Sequence, residues 1–402
     1  MISLRLGAKL AAALGVAFLG HSVAVPHQTA VASQLHVLIV GGGPDPQNNQ
    51  VAIESNVRYV ARLLPADTST RILFANGNPK AKNVQWEDDN GKKNYREPDL
   101  PRLDGPSELY NVKQEISTIA DSAQTNPQNP VLLYFTGHGS PNTMSRYQNN
   151  QYDLWNDQIL SVKDFSSSLA KFPSTTPIAV VMVECFSGSF GNILFQNGDP
   201  NGAPTQSNIC GFFASVDRRM AAGCTPEIHE KNYKDFTGYF FAALTGMDRM
   251  GQPVAGADYN HDGKIGMSEA YCYSLIHDDS IDTPVCTSDV FLRRFVKLPD
   301  KEVMATPFSR VVSWATPGQS AALNALSDDL HLSGEDRLGQ AYDKFLHSDP
   351  QSEELSDVRL IRFVRLAKSV VLAHTMETNP DTALKARFDQ LIKAEASDPL
   401  KP

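Results

Sequence analysis

Two residues of this sequence, His138 and Cys185, have side chains that together could perform nucleophilic chemistry. Each follows an apolar run, "VLLYF" before the histidine and "IAVVMV" before the cysteine. A thiol attacks as the thiolate, so at neutral pH it needs a base within hydrogen-bond reach or a lowered pKa. Histidine is such a base. Either residue alone is typical of a buried, inert thiol or of a structural histidine, whereas the pair predicts covalent catalysis.

The histidine lies between two glycines, Gly137 and Gly139. Without side chains, they let the backbone turn tightly and leave room for the main chain of a substrate. The amide N–H of Gly139, together with that of Cys185, is suited to stabilise an oxyanion. We therefore predict His138, Cys185 and Gly139 as the catalytic residues.

Strand-like and helical patterns alternate up to about residue 300. Continuous apolar runs ending in small residues predict buried strands at 35–43, 70–79, 130–139, 176–189 and 210–217, and the polar stretch 80–106 between them is predicted as a loop. This alternation predicts an α/β fold, a mainly parallel sheet with helices on both faces. Sites in such sheets form beyond the carboxyl ends of the strands, which is where His138 and Cys185 fall.

The C-terminal part has a different pattern. From residue 310 to 402 strand-like runs mostly stop, and helical spacing places one apolar stripe along the longest segment, formed by Leu360, Phe363, Val364, Ala367 and Val371. We predict a domain over residues 33–309 and a helical module, a possible prodomain, over residues 310–402.

Composition and the N-terminus restrict the partners and the location of the protein. The 402 residues carry a net charge of −9 without a long basic run, so a nucleic-acid partner is not expected. Residues 1–32 have the basic start, apolar stretch and small residues of a signal peptide, with cleavage after Ala24 or Ala32. No later apolar stretch reaches the roughly 18 residues of a membrane helix. We expect an exported protein, secreted or periplasmic, without a membrane span in the mature chain, and its oligomeric state stays open.

The five cysteines allow disulfides in an exported chain. They are Cys185, Cys210, Cys224, Cys272 and Cys286. The simplest expectation pairs Cys210 with Cys224 and Cys272 with Cys286, although spacing does not prove connectivity. Cys185 would then stay free.

A second motif, "DYNHDGKIGMSE" over residues 258–269, fits a calcium-binding EF-hand loop. Side-chain oxygens at loop positions 1, 3, 5 and 12 are the expected ligands, and position 7 contributes its carbonyl. These ligands are Asp258, Asn260, Asp262, Glu269 and, through the main chain, Lys264. The alternative is a polar turn that caps the next helix. We predict a structural Ca²⁺ there; the covalent chemistry itself needs no cofactor.

The stretches "VLLYFTGHGSP" and "VVMVECFSGSFGNIL" resemble the two catalytic motifs of the legumain-like (C13) cysteine peptidases of the caspase-like clan. The resemblance spans about residues 35–300 and implies a caspase-like fold. It also implies that His138 is the base, that Cys185 is the nucleophile and that Gly139 contributes to the oxyanion hole. The family's C-terminal prodomain is helical, as the C-terminal region here is.

Two departures from that family concern the site. Legumains carry an asparagine after the first strand that orients the histidine, and here Asn48 or Asn49 is the available substitute. Their basic pair for an asparagine pocket is missing. A pocket for a basic side chain needs an acid and one for an acidic side chain needs a base, and "SVDRRM" offers Asp217, Arg218 and Arg219, or simply a solvated loop.

The first expectation is an exported cysteine endopeptidase that hydrolyses peptide bonds through a thioester acyl-enzyme. A transamidase or peptide ligase of the same fold is the close alternative, because an amine can intercept the acyl-enzyme. A catalytically inactive scaffold that only binds peptides or proteins is the third. The substrate and the residue preferred before the cut stay open.

Overall fold

The fold is built around a central sheet of mainly parallel strands. The computed structural model describes residues 34–401. The strands run in the spatial order β10-β9-β8-β5-β1-β2, and the short β10 is antiparallel to β9. The strands are β1 His36–Gly42, β2 Ser69–Phe74, β3 Val84–Glu87, β4 Lys93–Arg96, β5 Val131–Ser140, β6 Gln151–Leu154, β7 Gln158–Ser161, β8 Ile178–Met182, β9 Ile209–Phe213 and β10 Val285–Cys286.

The helices connect the strands and then dominate the C-terminal part. They are α1 Val51–Leu63, α2 Leu109–Thr125, α3 Val162–Leu169, α4 Phe236–Thr245, α5 Met267–His277, α6 Thr287–Phe295, α7 Asp300–Met304, α8 Phe308–Trp314, α9 Pro317–Asp329, α10 Arg337–His347, α11 Leu355–Glu377 and α12 Thr382–Glu395. A 3₁₀ helix, Ser187–Leu194, follows the predicted nucleophile.

Each face of the sheet has its own apolar core. Successive side chains of a strand point to opposite faces. In β1, accordingly, Val37 and Ile39 belong to one cluster of buried residues, and Leu38 and Val40 belong to the other. Helix α1 covers the first face, and α2 and α3 cover the second. The predicted α/β fold, with a mainly parallel sheet and helices on both faces, is confirmed.

The C-terminal helices share the first of these cores. Val311 of α8, Leu323 of α9 and Phe388 of α12 are buried in the same cluster as β1 and α1. The apolar stripe predicted for this region lies on α11, and all five of its residues are buried. The helical nature of the C-terminal region is therefore confirmed. These helices are packed on the sheet and cover the side of it that carries α4 and α5.

Two hairpins were not predicted. The stretch 80–106, predicted as a loop, contains the antiparallel pair β3–β4, whose alternating Val84 and Trp86 pack against α1 and its surroundings. The pair β6–β7 extends the end of β5, which it meets through β6. Short polar strands of this kind give only a weak sequence signal. They pair through main-chain hydrogen bonds, and their side chains show no continuous apolar run.

The expected disulfides are absent: all five cysteines lie within the described residues and are free. Cys210 is buried on β9, whereas Cys224 lies in the loop after that strand. The predicted pairing Cys210–Cys224 and Cys272–Cys286 was therefore wrong. Equal spacing along the chain places no constraint on the distance between two side chains in the fold.

The predicted signal peptide, residues 1–32, lies outside the described residues. Among residues 34–401, no helix is both long and apolar enough to cross a membrane. The export of the chain stays a prediction.

Candidate active site

The register of two neighbouring strands brings His138 and Cys185 to the same edge of the sheet. Strands β5 and β8 are parallel, and Val131 faces Ile178 as Phe135 faces Met182. The same spacing along the chain separates His138 from Cys185, so both residues lie three positions beyond the last paired residues. The predicted juxtaposition at the carboxyl ends of the strands is thus what the register produces.

The glycines beside His138 are required by close packing. A Cβ on Gly139 would lie 2.2 Å from the carbonyl oxygen of Cys185, and a Cβ on Gly137 would lie 2.6 Å from that of Gly42. Both distances are far below van der Waals contact. The end of β5 therefore packs closely against the main chain of Cys185 on one side and against β1 on the other.

The imidazole of His138 is held by the turn that follows β1. Its Nε2 lies 2.9 Å from the main-chain oxygen of Asn48 and 2.9 Å from Oε1 of Gln50. A carbonyl oxygen only accepts, so Nε2 must carry a proton. In the neutral ring the lone pair is then on Nδ1, which makes no hydrogen bond to any residue between 34 and 401. The nitrogen of His138 that is free to accept a proton is therefore Nδ1.

Local hydrogen bonds fix this turn. Oδ1 of Asp45 accepts the N–H groups of Gln47 and Asn48 at 2.7 and 3.0 Å, which directs the carbonyl of Asn48. Gln50 is the N-cap residue of α1. Of the two asparagines expected as substitutes, Asn48 reaches the imidazole, and it does so through its main-chain oxygen. Asn49, instead, is fully buried and bonds Gly43 and Asn83.

Gln50 is the functional residue that sequence reasoning missed. Its side chain takes the place where an asparagine was sought one or two positions earlier. A possible signal was its position directly before α1, since the start of a helix after the first strand points to the same edge as the other strand ends. The sequence alone did not show which of several amides in "PQNNQ" reaches the imidazole.

The thiol of Cys185 is hydrogen-bonded to the loop after β9. The N–H of Ala221 donates to Sγ at 3.3 Å, and Sγ lies 3.7 Å from the oxygen of Ala221. The N–H of the next residue, Phe186, donates to the oxygen of Arg219 at 2.8 Å. No hydrogen bond joins Cys185 to His138 in the described structure. The two side chains share an edge without a bond between them, and catalytic hydrogen bonds are often long or unmade in sites without substrate.

The two pKa values are displaced in directions that keep both groups neutral. Burial lowers the pKa of His138, while the Asn48 carbonyl and the nearby Asp153 act against that change. Burial raises the pKa of Cys185, although the hydrogen bond from Ala221 lowers it. At neutral pH the resting pair is a thiol and an uncharged imidazole. The resting pair is therefore not a preformed ion pair.

Two acids, the buried Glu184 and the partly buried Asp153, are found near the pair. Glu184, directly before the nucleophile, is fully buried, and neither of its carboxyl oxygens has a hydrogen-bond partner in the described structure. Burial raises its pKa well above the ordinary value. Asp153 faces His138 across the β5–β6 pair and accepts from the hydroxyl of Ser140 at 2.6 and 2.8 Å.

A second thiol lies at the same edge. Sγ of Cys224 is 3.2 Å from the oxygen of Gly137, the residue before His138. Like Cys185 it is partly exposed, whereas Cys210, Cys272 and Cys286 are buried. Burial raises the pKa of Cys224 and the neighbouring Cys185 raises it further, so it too is a neutral thiol at physiological pH.

The predicted trio in "SVDRRM" does not act as one group. Asp217 is partly buried, and burial raises its pKa. Arg218 is exposed, with its guanidinium 4.9 Å above the ring of Tyr147. Arg219, by contrast, is 5% exposed and is covered by the segment between α10 and α11. The loop is therefore only partly solvated.

The predicted calcium loop lies before α5. Oε1 of Glu269 accepts the N–H groups of Tyr259 and Asn260, and Oε2 accepts that of Gly266. Asp258 and Asp262 accept N–H groups of the loop itself, including that of Gly263 at 3.1 Å. Across the described residues, no group of three or more His, Cys, Asp and Glu side chains is arranged to hold a metal ion. The sequence-matched oxygens thus bond the loop's own main chain, and calcium binding stays a prediction.

Comparisons with known proteins find likeness only in structure. No protein-family profile and no curated protein matches the chain. A structural-genomics protein of Geobacter sulfurreducens is 13% identical, with 63% of this chain and 92% of that chain covered at a TM-score of 0.36. A secreted C11 cysteine protease from Bacteroides thetaiotaomicron is 9% identical, with coverage of 68% and 74% and a TM-score of 0.31. Raptor from Chaetomium thermophilum is 10% identical, with coverage of 90% and 38% and a TM-score of 0.28.

Proposed function

We propose that this protein is a cysteine endopeptidase whose nucleophile is Cys185 and whose base is His138. The observation that carries the proposal is the orientation of His138, whose Nε2 is committed to the Asn48 carbonyl while Nδ1 is free at the edge that holds Cys185. A purely structural histidine would have no need of a free lone pair at the edge of the sheet that also carries a partly exposed thiol. The motifs that resemble those of the legumain-like peptidases support the same assignment.

The reaction follows from this geometry. As Sγ of Cys185 attacks the scissile carbonyl carbon, the thiol proton passes to Nδ1 of His138. The C–N bond then breaks, the leaving amine takes that proton from the imidazolium, and a thioester remains on the enzyme. Water attacks the thioester with Nδ1 again as base, which releases the acid and restores the thiol. Because Nε2 stays bonded to the Asn48 carbonyl throughout, the ring keeps its orientation in both protonation states.

The oxyanion is the second requirement of the mechanism. We propose the N–H groups of Gly139 and Cys185 as its donors, since the packing of Gly139 on the Cys185 carbonyl holds the two main chains together. One such donor is worth about 3 kcal/mol of transition-state stabilisation in other enzymes.

The test is cleavage of a peptide library by the wild type and by Cys185→Ala, with His138→Ala as a third sample. Cleavage by the wild type alone supports the proposal, and the cut sites identify the preferred residue. A thiol-reactive peptide probe that labels wild type and His138→Ala equally would contradict the role of His138. If neither cleavage nor labelling by any peptide probe occurs, the chain is a binding scaffold.

The close alternative differs only in the acceptor. If an amine takes the acyl group, the product contains a new amide bond in place of a free carboxylate, and mass spectrometry of the products with an added amine nucleophile distinguishes the two. We further propose that the chain is exported, on the basis of residues 1–32, and that residues 258–269 bind Ca²⁺ as a structural ion. Neither is needed for the covalent steps.

A further inference from the structure

Arg219 is a buried arginine beside the nucleophile. Its main-chain oxygen accepts the N–H of Phe186 at 2.8 Å, and Ala221, two residues on, donates to Sγ of Cys185. Its side chain is only 5% exposed, and Nε has no hydrogen-bond partner within the described residues. Burial lowers the pKa of the guanidinium, yet arginine stays charged in proteins. The loop that bonds the Cys185 thiol thus carries a charge that is held out of water.

No carboxylate of the described chain pairs with this charge directly. Its Nη groups donate instead to two main-chain oxygens of the segment between α10 and α11, to Pro350 and, at 2.7 Å, to Ser352. Two neutral carbonyls compensate a buried guanidinium less well than a bidentate carboxylate does. A carboxylate would therefore be a better ligand for the guanidinium than the two main-chain oxygens that bind it here.

The covering segment is itself acidic. Residues 349–357 include four carboxylates, on Asp349, Glu353, Glu354 and Asp357. Three of them, Glu353, Asp349 and Asp357, lie near enough to raise the pKa of Arg219. A second contact fixes the segment, because Nε2 of Gln351 donates to the oxygen of Arg218 at 3.1 Å. Residues 349–353 thus cover the loop that bonds the thiol, through main-chain oxygens and the Gln351 amide, and bring carboxylates near Arg219.

We propose that Arg219 is the specificity-determining residue of the site, that it binds an acidic side chain of the peptide substrate, and that residues 349–353 occupy its subsite until substrate displaces them. This inference rests on the proposed peptidase function and names its substrate class. An aspartate or glutamate of the substrate would supply the two oxygens that the guanidinium lacks. The segment leaves without breaking any side-chain ion pair to Arg219, because its direct bonds to that residue come from main-chain oxygens.

The experiment uses the full chain and four peptidyl acyloxymethyl ketone probes, from which a carboxylate leaves as Sγ is alkylated. The probes differ only in the residue next to the reactive group: Asp, Asn, Lys or Ala. Labelling of Cys185 is followed by mass spectrometry. We expect the Asp probe to react on the order of tenfold to a hundredfold faster than the others, since a hydrogen-bonded charge pair contributes that much. Arg219→Gln should abolish this preference. Arg218→Gln, which removes an equal charge from the exposed neighbour, should keep it.

A second variant tests the covering segment. Replacement of residues 349–353 by a Gly/Ser stretch of equal length should speed labelling by the Asp probe several-fold and leave alkylation by iodoacetamide unchanged. An Arg219→Gln variant that has a lower Tm but an unchanged probe preference would make Arg219 a structural tether and overturn the proposal. Labelling by all four probes at one rate would do so too. If none of the probes labels Cys185 in any variant, the peptidase function itself fails.

Discussion

Nε2 of His138 and Oε1 of Gln50 lie 2.9 Å apart, which joins the end of β5 to the first residue before α1. Gln50 is thus a positioning residue, acting through the imidazole. Gln50→Glu would place a carboxylate on the same N–H and favour the imidazolium, because an opposite charge at hydrogen-bond distance raises the pKa of a histidine. We expect the acidic limb of the kcat/KM profile to move to higher pH.

The control for that shift is Gln47→Glu, which adds the same charge three positions earlier in the turn. It should leave the profile in place. Gln50→Leu, which removes one acceptor and keeps the Asn48 carbonyl, should lower kcat by about tenfold with little change in KM. An unchanged pH profile in Gln50→Glu would show that the contact does not control the protonation of His138.

Gly139→Ala tests the close packing at the nucleophile. The new Cβ would meet the Cys185 carbonyl at 2.2 Å, so the main chains must separate. We expect loss of labelling by peptide probes and a decrease of about 1–3 kcal/mol in the free energy of unfolding. Gly339→Ala, on α10, is the matched control. Its Cβ would have no neighbour closer than 3.8 Å, and helix propensity favours alanine. Thermal unfolding and labelling together separate the two outcomes.

The pH dependence of alkylation should show that Cys185 is a neutral thiol in the resting protein and not the thiolate of an ion pair. Because burial raises its pKa above the ordinary value of 9.0, the fraction of thiolate is still rising at pH 9. We expect the rate of alkylation of Cys185 by iodoacetamide, measured by mass spectrometry, to increase through that pH. A rate that reaches its plateau below pH 7 would mean that His138 holds a thiolate in the resting enzyme. The buried Cys210 serves as the internal control for unfolding.

Glu395 of α12 makes stability depend on pH. Its carboxyl accepts from Thr287 at 2.7 Å and from the N–H of Ser288 at 2.6 Å, and burial raises its pKa from 4.5 to about 7. A carboxyl with a raised pKa binds its proton more tightly in the folded state. We therefore expect the free energy of unfolding to fall as pH rises from 4.5 to 7, by on the order of 3 kcal/mol.

Glu395→Gln should remove that fall, because the amide cannot ionise and keeps an acceptor for Ser288. Urea unfolding at pH 4.5 and pH 7 measures the difference, and the exposed Glu302→Gln is the control. If the free energy of unfolding changed equally between pH 4.5 and pH 7 in wild type and Glu395→Gln, the buried carboxyl would be ionised without cost.

Calcium binding at residues 258–269 has a direct test. Millimolar Ca²⁺ should raise the Tm of the wild type, and Glu269→Gln should lose this increase because the bidentate ligand is weakened. Lys264→Ala should keep it, since only the carbonyl of that residue is proposed as a ligand. A Tm that does not respond to Ca²⁺ would leave Glu269 as the group that accepts from Gly266 at the start of α5.

The sequence alone predicted the main parallel strands, their alternation with helices, and His138 and Cys185 as the candidate reactive residues. The physical reason is that buried parallel strands are continuous apolar runs, so "VLLYF" and "IAVVMV" predict both the strands and the edge at which the next residues emerge. The apolar stripe of α11 was equally visible, because a helix on a core needs one. Local pattern was sufficient wherever burial of apolar side chains decides the structure.

Only the tertiary structure decided how those residues are held. Which amide of "PQNNQ" reaches His138, that five cysteines stay unpaired, and that residues 349–353 cover Arg219 all depend on distances between segments far apart in sequence. Polar contacts of this kind are set by the position of main-chain groups at angstrom precision, and such positions follow from the packing of the whole chain. The hydrophobic pattern of the sequence does not predict these polar contacts.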